Sequence, residues 1–247
     1  MDDQYLQQFS RHILLDEIGI EGQVRFTNSD VVIVGAGGLG SPVALYLTLA
    51  GVARLMLIDD DTVDLTNLQR QILHTQNSIG TSKVESAFST LSKYSNHTKI
   101  TPIQERLNQH NIGEYFESAD LVIDCSDNFT TRYLINAHCS KHKISLLSGS
   151  AIGFVGQLAL FDLRDEQSPC YSCLFPEGED IAAHRCSTTG VYSPLTGVIG
   201  TLLASESLKF LGQFGETQSG QLITFNALST QFRKTKIFKD KSCLNCS

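Results

Sequence analysis

The chain has 247 residues, of which 41% are hydrophobic and 18% charged, a composition expected of one large α/β domain or two small ones with a buried core. The net charge of −7 argues against nucleic acid as the main partner, because there is no general basic field to neutralise phosphates. No apolar run approaches the roughly 20 residues that span a bilayer. The N-terminus lacks the basic and apolar regions of a signal peptide, so the cytoplasm is the expected location.

The first 150 residues alternate between predicted helices and strands. Residues 4–17 have apolar side chains at helical spacing and predict an amphipathic helix. Apolar runs then predict strands that pair in parallel and are buried on both faces, at residues 31–34, 55–58, 100–103, 121–124 and 144–147, with helices at residues 41–50, 82–94 and 130–142. This alternation indicates a Rossmann-like, doubly wound, mostly parallel sheet with right-handed crossovers.

The pattern changes after residue 149. Strands are predicted at residues 156–162, 222–225 and 232–238, with one helix at residues 200–211, and we expect these strands to extend the sheet in an antiparallel manner. Residues 175–194 show no clear periodicity and are long for a passive connection, which predicts a functional or mobile loop. We expect a single domain over residues 1–247, with an N-terminal helical segment at 1–30, a first half at 31–149, and a half at 150–247 that supplies a second binding surface.

A glycine-rich loop, Gly35-Ala36-Gly37-Gly38-Leu39-Gly40, follows the predicted strand at residues 31–34. Glycines let backbone N–H groups approach phosphate oxygens, and the start of the next helix favours negative charge. Asp59 ends the following strand, where a carboxylate can accept hydrogen bonds from a ribose. These features do not separate NAD, FAD and ATP, and a tight turn without a ligand is the alternative.

Asn67, Arg70 and Lys83 favour a triphosphate over a dinucleotide. ATP needs cations near its β and γ phosphates, where charge accumulates as pyrophosphate leaves. Arg70 and Lys83 follow the acidic end of a strand and can fold back over the glycine loop. An isolated Arg or Lys is more often a solvated surface charge, but the surrounding string Asn-Leu-Gln-Arg-Gln favours the binding interpretation.

Asp127 and Asn128 follow the predicted strand at residues 121–124. Because ligands in open α/β sheets bind at the carboxyl ends of the strands, we expect this tip to face the glycine loop. Asp127 suits Mg²⁺, which takes few protein carboxylates together with phosphate oxygens. A turn or a helix N-cap before the next helix is the alternative, and both interpretations can hold, the cap for Asn128 and the metal for Asp127.

Four cysteines form two CxxC pairs, Cys170 with Cys173 and Cys243 with Cys246. Four thiolates in two such pairs match a tetrahedral structural zinc site. A shared zinc ion would tie the C-terminal tail to the middle of the chain. Redox-active pairs and an iron–sulfur cluster are the alternatives, but neither the thioredoxin context nor a cluster spacing fits.

The remaining cysteines and the histidines carry weaker signals. Cys125 and Cys139 are predicted to be small buried residues. Cys186 follows Arg185 in the aperiodic stretch, and a thiol beside an arginine can have a lowered pKa and act as a nucleophile. The seven histidines are scattered without the spacing of metal ligands or of a catalytic triad.

Together these strings resemble the ThiF/MoeB/HesA family of ATP-dependent sulfur-carrier activating enzymes, which are relatives of ubiquitin-activating enzymes. The resemblance covers almost the whole chain, from Ser10-Arg11-His12-Ile13-Leu14-Leu15 to the second CxxC pair, and includes Cys186 and Gly197-Val198-Ile199-Gly200-Thr201. It implies an adenylyltransferase that activates the C-terminal glycine of a small ubiquitin-like carrier with ATP and releases pyrophosphate. The carrier would serve thiamine or molybdopterin biosynthesis. The strings at residues 153–157 and 185–190 favour the thiamine type, whereas Asp61-Thr62-Val63 and the general layout fit the molybdopterin type as well.

The resemblance also assigns a role to each matching residue of the nucleotide site. Asp59 would hold the ribose, Asn67, Arg70 and Lys83 would hold the phosphates, and Asp127 would bind Mg²⁺. The full set expected to contact the nucleotide is Gly35, Gly37, Gly38, Gly40, Asp59, Thr66, Asn67, Leu68, Gln69, Arg70, Lys83, Asp127 and Asn128.

Two further residues are implied to act with partners. Arg11 matches an arginine that reaches into the active site of the neighbouring subunit, which implies a homodimer. Cys186 matches a loop cysteine that links to the carrier during sulfur transfer, and together with Arg11, Arg70, Lys83 and Asp127 it completes the expected catalytic set. The half at residues 150–247 would bind the carrier and zinc, and a separate persulfide protein would donate the sulfur.

Three other functions compete with this interpretation. An NAD-dependent oxidoreductase is supported only by the glycine loop and Asp59, and the sequence offers no convincing acid or base for hydride transfer. A non-catalytic, zinc-stabilised binding module would use the cysteine pairs alone. A relative within the family would use the same ATP chemistry to activate a tRNA modification.

Overall fold

The computed structural model describes residues 3–177 and 190–247. Its strands are β1 Asp30–Val34, β2 Arg54–Ile58, β3 Lys99–Ile103, β4 Leu121–Asp124, β5 Leu146–Ile152, β6 Val155–Phe161, β7 Gln221–Asn226 and β8 Gln231–Lys236. They form one sheet in the order β3-β2-β1-β4-β5-β6-β7-β8. Strands β1 to β5 pair in parallel, and β5 to β8 pair antiparallel. The predicted parallel sheet with an antiparallel extension is confirmed.

Helices pack against both faces of this sheet. They are α1 Asp3–Gln8, α2 Ser10–Ile13, α3 Gly19–Phe26, α4 Gly40–Ala50, α5 Lys83–Leu91, α6 Ile112–Phe116, α7 Phe129–His142, α8 Tyr171–Leu174 and α9 Ser193–Gly212. Two short 3₁₀ helices lie at Leu65–Asn67 and Gln76–Ser78. None of the helices in the described part of the chain has the length and apolar character needed to span a bilayer.

Strand β1 shows why the sheet has a core on each side. Its side chains alternate between the faces, so Val31 and Ile33 join the core that contains helices α4, α5 and α9. Val32 and Val34 join a second core with α6 and α7. All five residues of β1 are buried, as the continuous apolar run predicted for a parallel strand covered on both faces.

The structure corrects several of the predicted helices: α6 and α8 were not predicted, and α5 ends at Leu91 rather than at residue 94. The single helix predicted over residues 4–17 is instead two short helices, α1 and α2, and a third helix, α3, was not predicted. Helix α9 begins at Ser193, well before the predicted start at residue 200. Gly200 serves packing in this helix, because a Cβ there would lie 2.2 Å from Pro42 Cγ of α4. Close helix–helix contact therefore overrides the weak helix propensity of glycine.

Part of the predicted aperiodic stretch at residues 175–194 lies outside the described residues, which stop at residue 177 and resume at residue 190. Cys186 belongs to that part. The described residues on its far side lead directly into α9.

Candidate active site

A cavity of about 580 Å³ lies at the carboxyl ends of the parallel strands. The predicted nucleotide-binding residues line it, with three exceptions: Gly40, Leu68 and Gln69. Gln69 instead faces helix α9, where its carbonyl oxygen accepts a hydrogen bond from the Ser193 hydroxyl. The chain thus brings most of the expected residues together at the edge of the sheet where open α/β folds bind ligands.

The shape of the glycine loop depends on Gly35 and Gly40. Gly35 has a φ of +99°, in the region that favours glycine, and a Cβ there would lie 2.7 Å from the Cys125 carbonyl oxygen of the neighbouring strand end. A Cβ at Gly40 would lie 1.8 Å from the Gly35 carbonyl oxygen. Gly40 therefore closes the turn into α4, which explains why it does not line the cavity.

Three backbone N–H groups of the loop are free to bind a ligand. Within residues 3–177 and 190–247, the N–H groups of Gly37, Gly38 and Leu39 donate no hydrogen bond. Gly37 and Gly38 line the cavity, and helix α4 starts directly afterwards. Free N–H groups at a helix N-terminus attract anions such as phosphate.

The Asp59 carboxylate ties the end of β2 to this loop. Its Oδ2 accepts a hydrogen bond from Ala36 N at 2.7 Å, and its Oδ1 accepts one from Asp61 N at 2.9 Å. Burial raises the pKa of Asp59, and the opposing effects of Lys83 and of these two N–H donors are smaller. Each carboxylate oxygen keeps a further lone pair, so the group can also accept from a ribose hydroxyl.

The short helix at Leu65–Asn67 presents the next part of the lining. Asp64 caps it by accepting from Thr66 N, and Asn67 Oδ1 accepts from Asp64 N at 3.1 Å. The Asn67 amide group therefore keeps its N–H donors for a ligand. Arg70 Nη1 donates to Thr66 O at 3.0 Å, which holds the guanidinium beside the cavity.

Lys83 starts helix α5 and is only 7% exposed. Its Nζ lies 2.7 Å from Asp61 Oδ2, an ion pair that the sequence did not predict. A buried ammonium needs such a partner, and the pair keeps the charge next to the glycine loop and Asp59. The structure thus places both predicted cations, Arg70 and Lys83, on the cavity wall.

Asp127 and Asn128, in the turn between β4 and α7, have separate roles in the structure. Asn128 Oδ1 accepts from Thr131 N at 2.9 Å, so the predicted N-cap of α7 is confirmed. The Asp127 side chain is exposed at the cavity. Its carboxylate makes no hydrogen bond or ion pair within the described residues, which leaves it available for a metal ion with phosphate ligands.

A buried ion pair stabilises the tip of β4 behind these residues. Asp124 and Arg132 have side chains only 1% and 6% exposed, and Arg132 Nη1 lies 3.2 Å from Asp124 Oδ2. Arg132 also donates to the carbonyl oxygens of Ser126 and Gly149 and to the Ser148 hydroxyl. One arginine therefore fixes the backbone on two sides of the cavity.

Sequence reasoning missed several residues that line the cavity, among them Arg106, Gln71, Arg132 and Thr196. Arg106 follows β3, so the rule that ligands bind at the ends of parallel strands could have found it. Gln71 stood in the string that singled out Arg70. Thr196 belongs to α9, and nothing in the local sequence indicates that this helix reaches the cavity.

The four paired cysteines form one cluster that contacts α7 at Asn136. The distances between Sγ atoms are 3.9 Å for Cys170 and Cys173, 3.6 Å for Cys170 and Cys243, and 3.4 Å for Cys173 and Cys246. A tetrahedral ion with Zn–S bonds of about 2.3 Å requires an S–S separation of about 3.8 Å. Burial raises the pKa of Cys170 to about 11, so a bound cation would stabilise the thiolate there. The cluster fits zinc.

Asn136 on α7 connects this cluster to the rest of the protein. It is fully buried, and its Nδ2 lies 3.6 Å from Cys170 Sγ and 3.0 Å from Ser172 Oγ. Its Oδ1 accepts from Tyr171 N at 2.9 Å. Outer hydrogen bonds of this kind orient the residues that bind a metal.

Four other residues singled out in the sequence have different positions, and of these Cys125 lines the cavity. Arg11 is exposed on α2 and does not line the cavity, so its role in a neighbouring subunit stays a prediction. Cys186 lies in the part of the chain that is not described. Cys125 and Cys139 are buried, as predicted, and burial raises the pKa of both thiols.

The strand order, the glycine loop and the cysteine cluster define an α/β protein of Rossmann type with a candidate structural metal site. Its sequence matches the ThiF family over residues 9–245, and the protein belongs to that family. The molybdopterin-synthase adenylyltransferase of Escherichia coli is 40% identical over 247 residues, covering 100% of this chain and 98% of the relative. The sulfur carrier protein ThiS adenylyltransferase of the same organism is 41% identical over 246 residues, covering 100% and 97%.

These relatives confirm the predicted family and enzyme class, since both are named adenylyltransferases. The crystal structure of E. coli MccB with succinimide has the same fold, with a TM-score of 0.84 at 22% identity, covering 97% of this chain and 73% of that one. The two E. coli relatives differ from each other by one percentage point in identity to this chain, so identity does not favour one of these enzymes over the other.

Proposed function

We propose that this protein transfers the adenylyl group of ATP to the C-terminal glycine carboxylate of a small ubiquitin-like sulfur carrier protein. The observation that carries the proposal is a cavity whose lining combines free loop N–H groups, the cations Arg70 and Lys83 and the exposed Asp127 carboxylate around the space beside Asp59. The identity of 40% and 41% to two carrier adenylyltransferases supports it.

In this proposal, each side of the cavity binds a different part of ATP. The Asp59 carboxylate accepts from the ribose hydroxyls, and the N–H groups of Gly37 and Gly38 donate to phosphate oxygens. Arg70 and Lys83 lie next to the loop and neutralise the triphosphate. Because Lys83 is already held by Asp61 at 2.7 Å, its charge is in position before the nucleotide arrives, which avoids reorganisation during the reaction.

The reaction is an in-line displacement at the α-phosphorus. A carboxylate oxygen of the carrier forms the new bond to phosphorus, the bond to the β-phosphate bridge breaks, and pyrophosphate leaves with the electron pair. The protein contributes position and charge, since the nucleophile is already an anion and needs no base. The exposed Asp127 carboxylate would hold Mg²⁺, which neutralises phosphate charge when bound. The four cysteines would hold zinc as a structural ion.

The proposal includes the predicted partners. The chain forms one domain, in which the half at residues 150–247 binds the carrier. Two chains form a homodimer, in which Arg11 of each subunit completes the active site of its neighbour. Cys186 would accept the carrier during sulfur transfer, with sulfur from a separate persulfide protein. We place the protein in the cytoplasm, where the reducing conditions keep cysteine thiols such as these from forming disulfides.

Exchange of labelled pyrophosphate into ATP tests the reaction directly. We expect exchange that requires Mg²⁺ and a carrier ending in Gly-Gly, and none with a carrier that lacks the final glycine. Arg70→Ala should lower the exchange rate by about 10²-fold, the effect of removing one stabilising charge. Arg164→Ala, an exposed arginine remote from the cavity, is the matched control and should exchange normally. Absence of exchange with both thiamine-type and molybdopterin-type carriers would overturn the proposal.

The same assay identifies the carrier. The strings at residues 153–157 and 185–190 lead us to expect a higher kcat/KM with the thiamine-type carrier than with the molybdopterin type. A reversed ratio would leave the adenylation chemistry in place and change only the pathway.

A further inference from the structure

His74 lies behind the glycine loop and is only 6% exposed. Its Nε2 is 2.9 Å from Ala36 O, and its Nδ1 is 3.0 Å from the Ser86 hydroxyl of α5. A carbonyl oxygen can only accept, so Nε2 carries the proton and donates to Ala36. Burial lowers the pKa of His74 and favours the neutral ring, in which Nδ1 accepts from the Ser86 hydroxyl, and this pair of bonds fixes the ring and its tautomer.

Ala36 is consequently held at both of its backbone polar groups. Its N–H donates to Asp59 Oδ2 at 2.7 Å, and its carbonyl accepts from His74. The peptide group that joins Ala36 to Gly37 is trans and planar, so its N–H points opposite to its C=O. With the Ala36 carbonyl directed at the buried His74, the Gly37 N–H points away from His74.

The other side of that peptide group is the cavity. Gly37 lines it, and its N–H has no acceptor in the described part of the chain. Gly37 also has no side chain to restrict the peptide, because glycine adopts positive and negative φ with similar ease. The Ala36 carbonyl also accepts from the Ser41 hydroxyl at 3.5 Å, so the bond from His74, at 2.9 Å, is the shorter of the two contacts that orient this N–H.

We propose that His74 is a positioning residue for nucleotide binding, which it serves by orienting the Gly37 N–H toward a phosphate of ATP. This inference rests on the proposed function, since it needs a phosphate in the cavity. It gives a purpose to a histidine that has no ligand or triad spacing in the sequence. The competing interpretation is a core histidine that only supports the fold.

Two substitutions of similar size separate these interpretations. In His74→Gln, the longer side chain places an amide N–H where Nε2 stood, so the bond to Ala36 is kept. In His74→Asn, the shorter side chain reaches the position of Nδ1, near Ser86, and leaves the Ala36 carbonyl with only the longer contact from the Ser41 hydroxyl, at 3.5 Å. Both variants introduce a buried amide, so the cost to the fold is matched.

The measurement is the Kd of ATP with Mg²⁺ and the Kd of adenosine by calorimetry, without carrier. We expect His74→Asn to weaken ATP binding about tenfold, the value of one charge-assisted hydrogen bond, and to leave adenosine binding within about twofold. His74→Gln should bind both like the wild type. His138→Gln, a histidine on α7 outside the cavity lining, controls for the substitution itself.

Equal ATP affinity in His74→Asn and the wild type would overturn the proposal. A parallel loss of ATP and adenosine affinity would also overturn it, because that result indicates a general loss of structure. Failure of the proposed function has a different signature: the wild type binds ATP, yet no carrier supports pyrophosphate exchange. A wild-type protein that binds no ATP would overturn both.

Discussion

Replacing Arg132 with methionine tests the buried ion pair behind the cavity. Arg132→Met keeps most of the apolar volume but leaves the Asp124 carboxylate, 1% exposed, without its counter-charge. Hydrogen bonds from Ser126 and Ser148 remain. Removing one partner of a buried pair costs about 3–5 kcal/mol in the free energy of unfolding. At about 2–4 °C per kcal/mol for a chain of this size, the thermal midpoint should fall by roughly 6–20 °C.

Urea and thermal unfolding in zinc-containing buffer measure this change. Arg164→Met is the matched control, because Arg164 also pairs with an aspartate, Asp162, but has a side chain that is 58% exposed. An exposed pair of this kind is worth about 0–1 kcal/mol. Adding Asp124→Asn to Arg132→Met removes the uncompensated charge, so the double variant should regain part of the lost stability.

The reasoning is refuted if Arg132→Met and Arg164→Met unfold within about 1 kcal/mol of each other. That result would mean that burial does not increase the cost of breaking the pair. A double variant less stable than Arg132→Met would refute the explanation by unpaired charge, even if the single variant were unstable.

Two further predictions concern the metal site and Asp59. Metal analysis should find about one zinc per chain. Strong chelation or Cys246→Ser should lower the thermal midpoint, because metal binding and folding are coupled. An unchanged midpoint would count against a structural ion. Because burial raises the pKa of Asp59, its contribution to folding stability is greatest below about pH 3.9 and is lost as the pH rises through the folded-state pKa. As the pH is lowered, the affinity for adenosine should fall at a higher pH than an aspartate with an ordinary pKa would give. In Lys83→Met this fall should occur at a still higher pH, because Lys83 lowers the pKa of Asp59, and in Asp59→Asn it should be absent. Identical midpoints of the pH dependence in the wild type and Lys83→Met would contradict this account.

The parts of the fold that the sequence predicted are those set by local pattern. The apolar runs of β1 and β4 identified buried parallel strands, because a strand covered on both faces has no polar alternation. The start of α9 was missed because Gly197 and Gly200 weaken a helix by local propensity. Only the packed structure shows that Gly200 lets Pro42 of α4 approach closely.

In the candidate site, too, the sequence predicted the residues that follow a general rule and missed those that depend on tertiary packing. Asp59 and Asp127 were predicted because each follows a parallel strand, and the position of strand ends is a general rule of the fold. His74 was missed because its partner, Ala36, lies 38 residues away, and no spacing rule connects them. The pairing of Lys83 with Asp61 was missed for a similar reason, since it depends on how α5 packs behind the loop.

Helix α7 contacts both the cavity and the cysteine cluster. Asn128, Arg132 and Asn136 are spaced four residues apart, so they lie on one face of the helix. Asn128 caps the helix beside the cavity, Arg132 holds carbonyl oxygens on two cavity walls, and Asn136 holds the first cysteine pair. This face is polar, yet Arg132 and Asn136 are buried, because each side chain meets groups that hydrogen-bond it. The cavity and the cysteine cluster are therefore positioned by the same helix, although the sequence presents them as separate motifs.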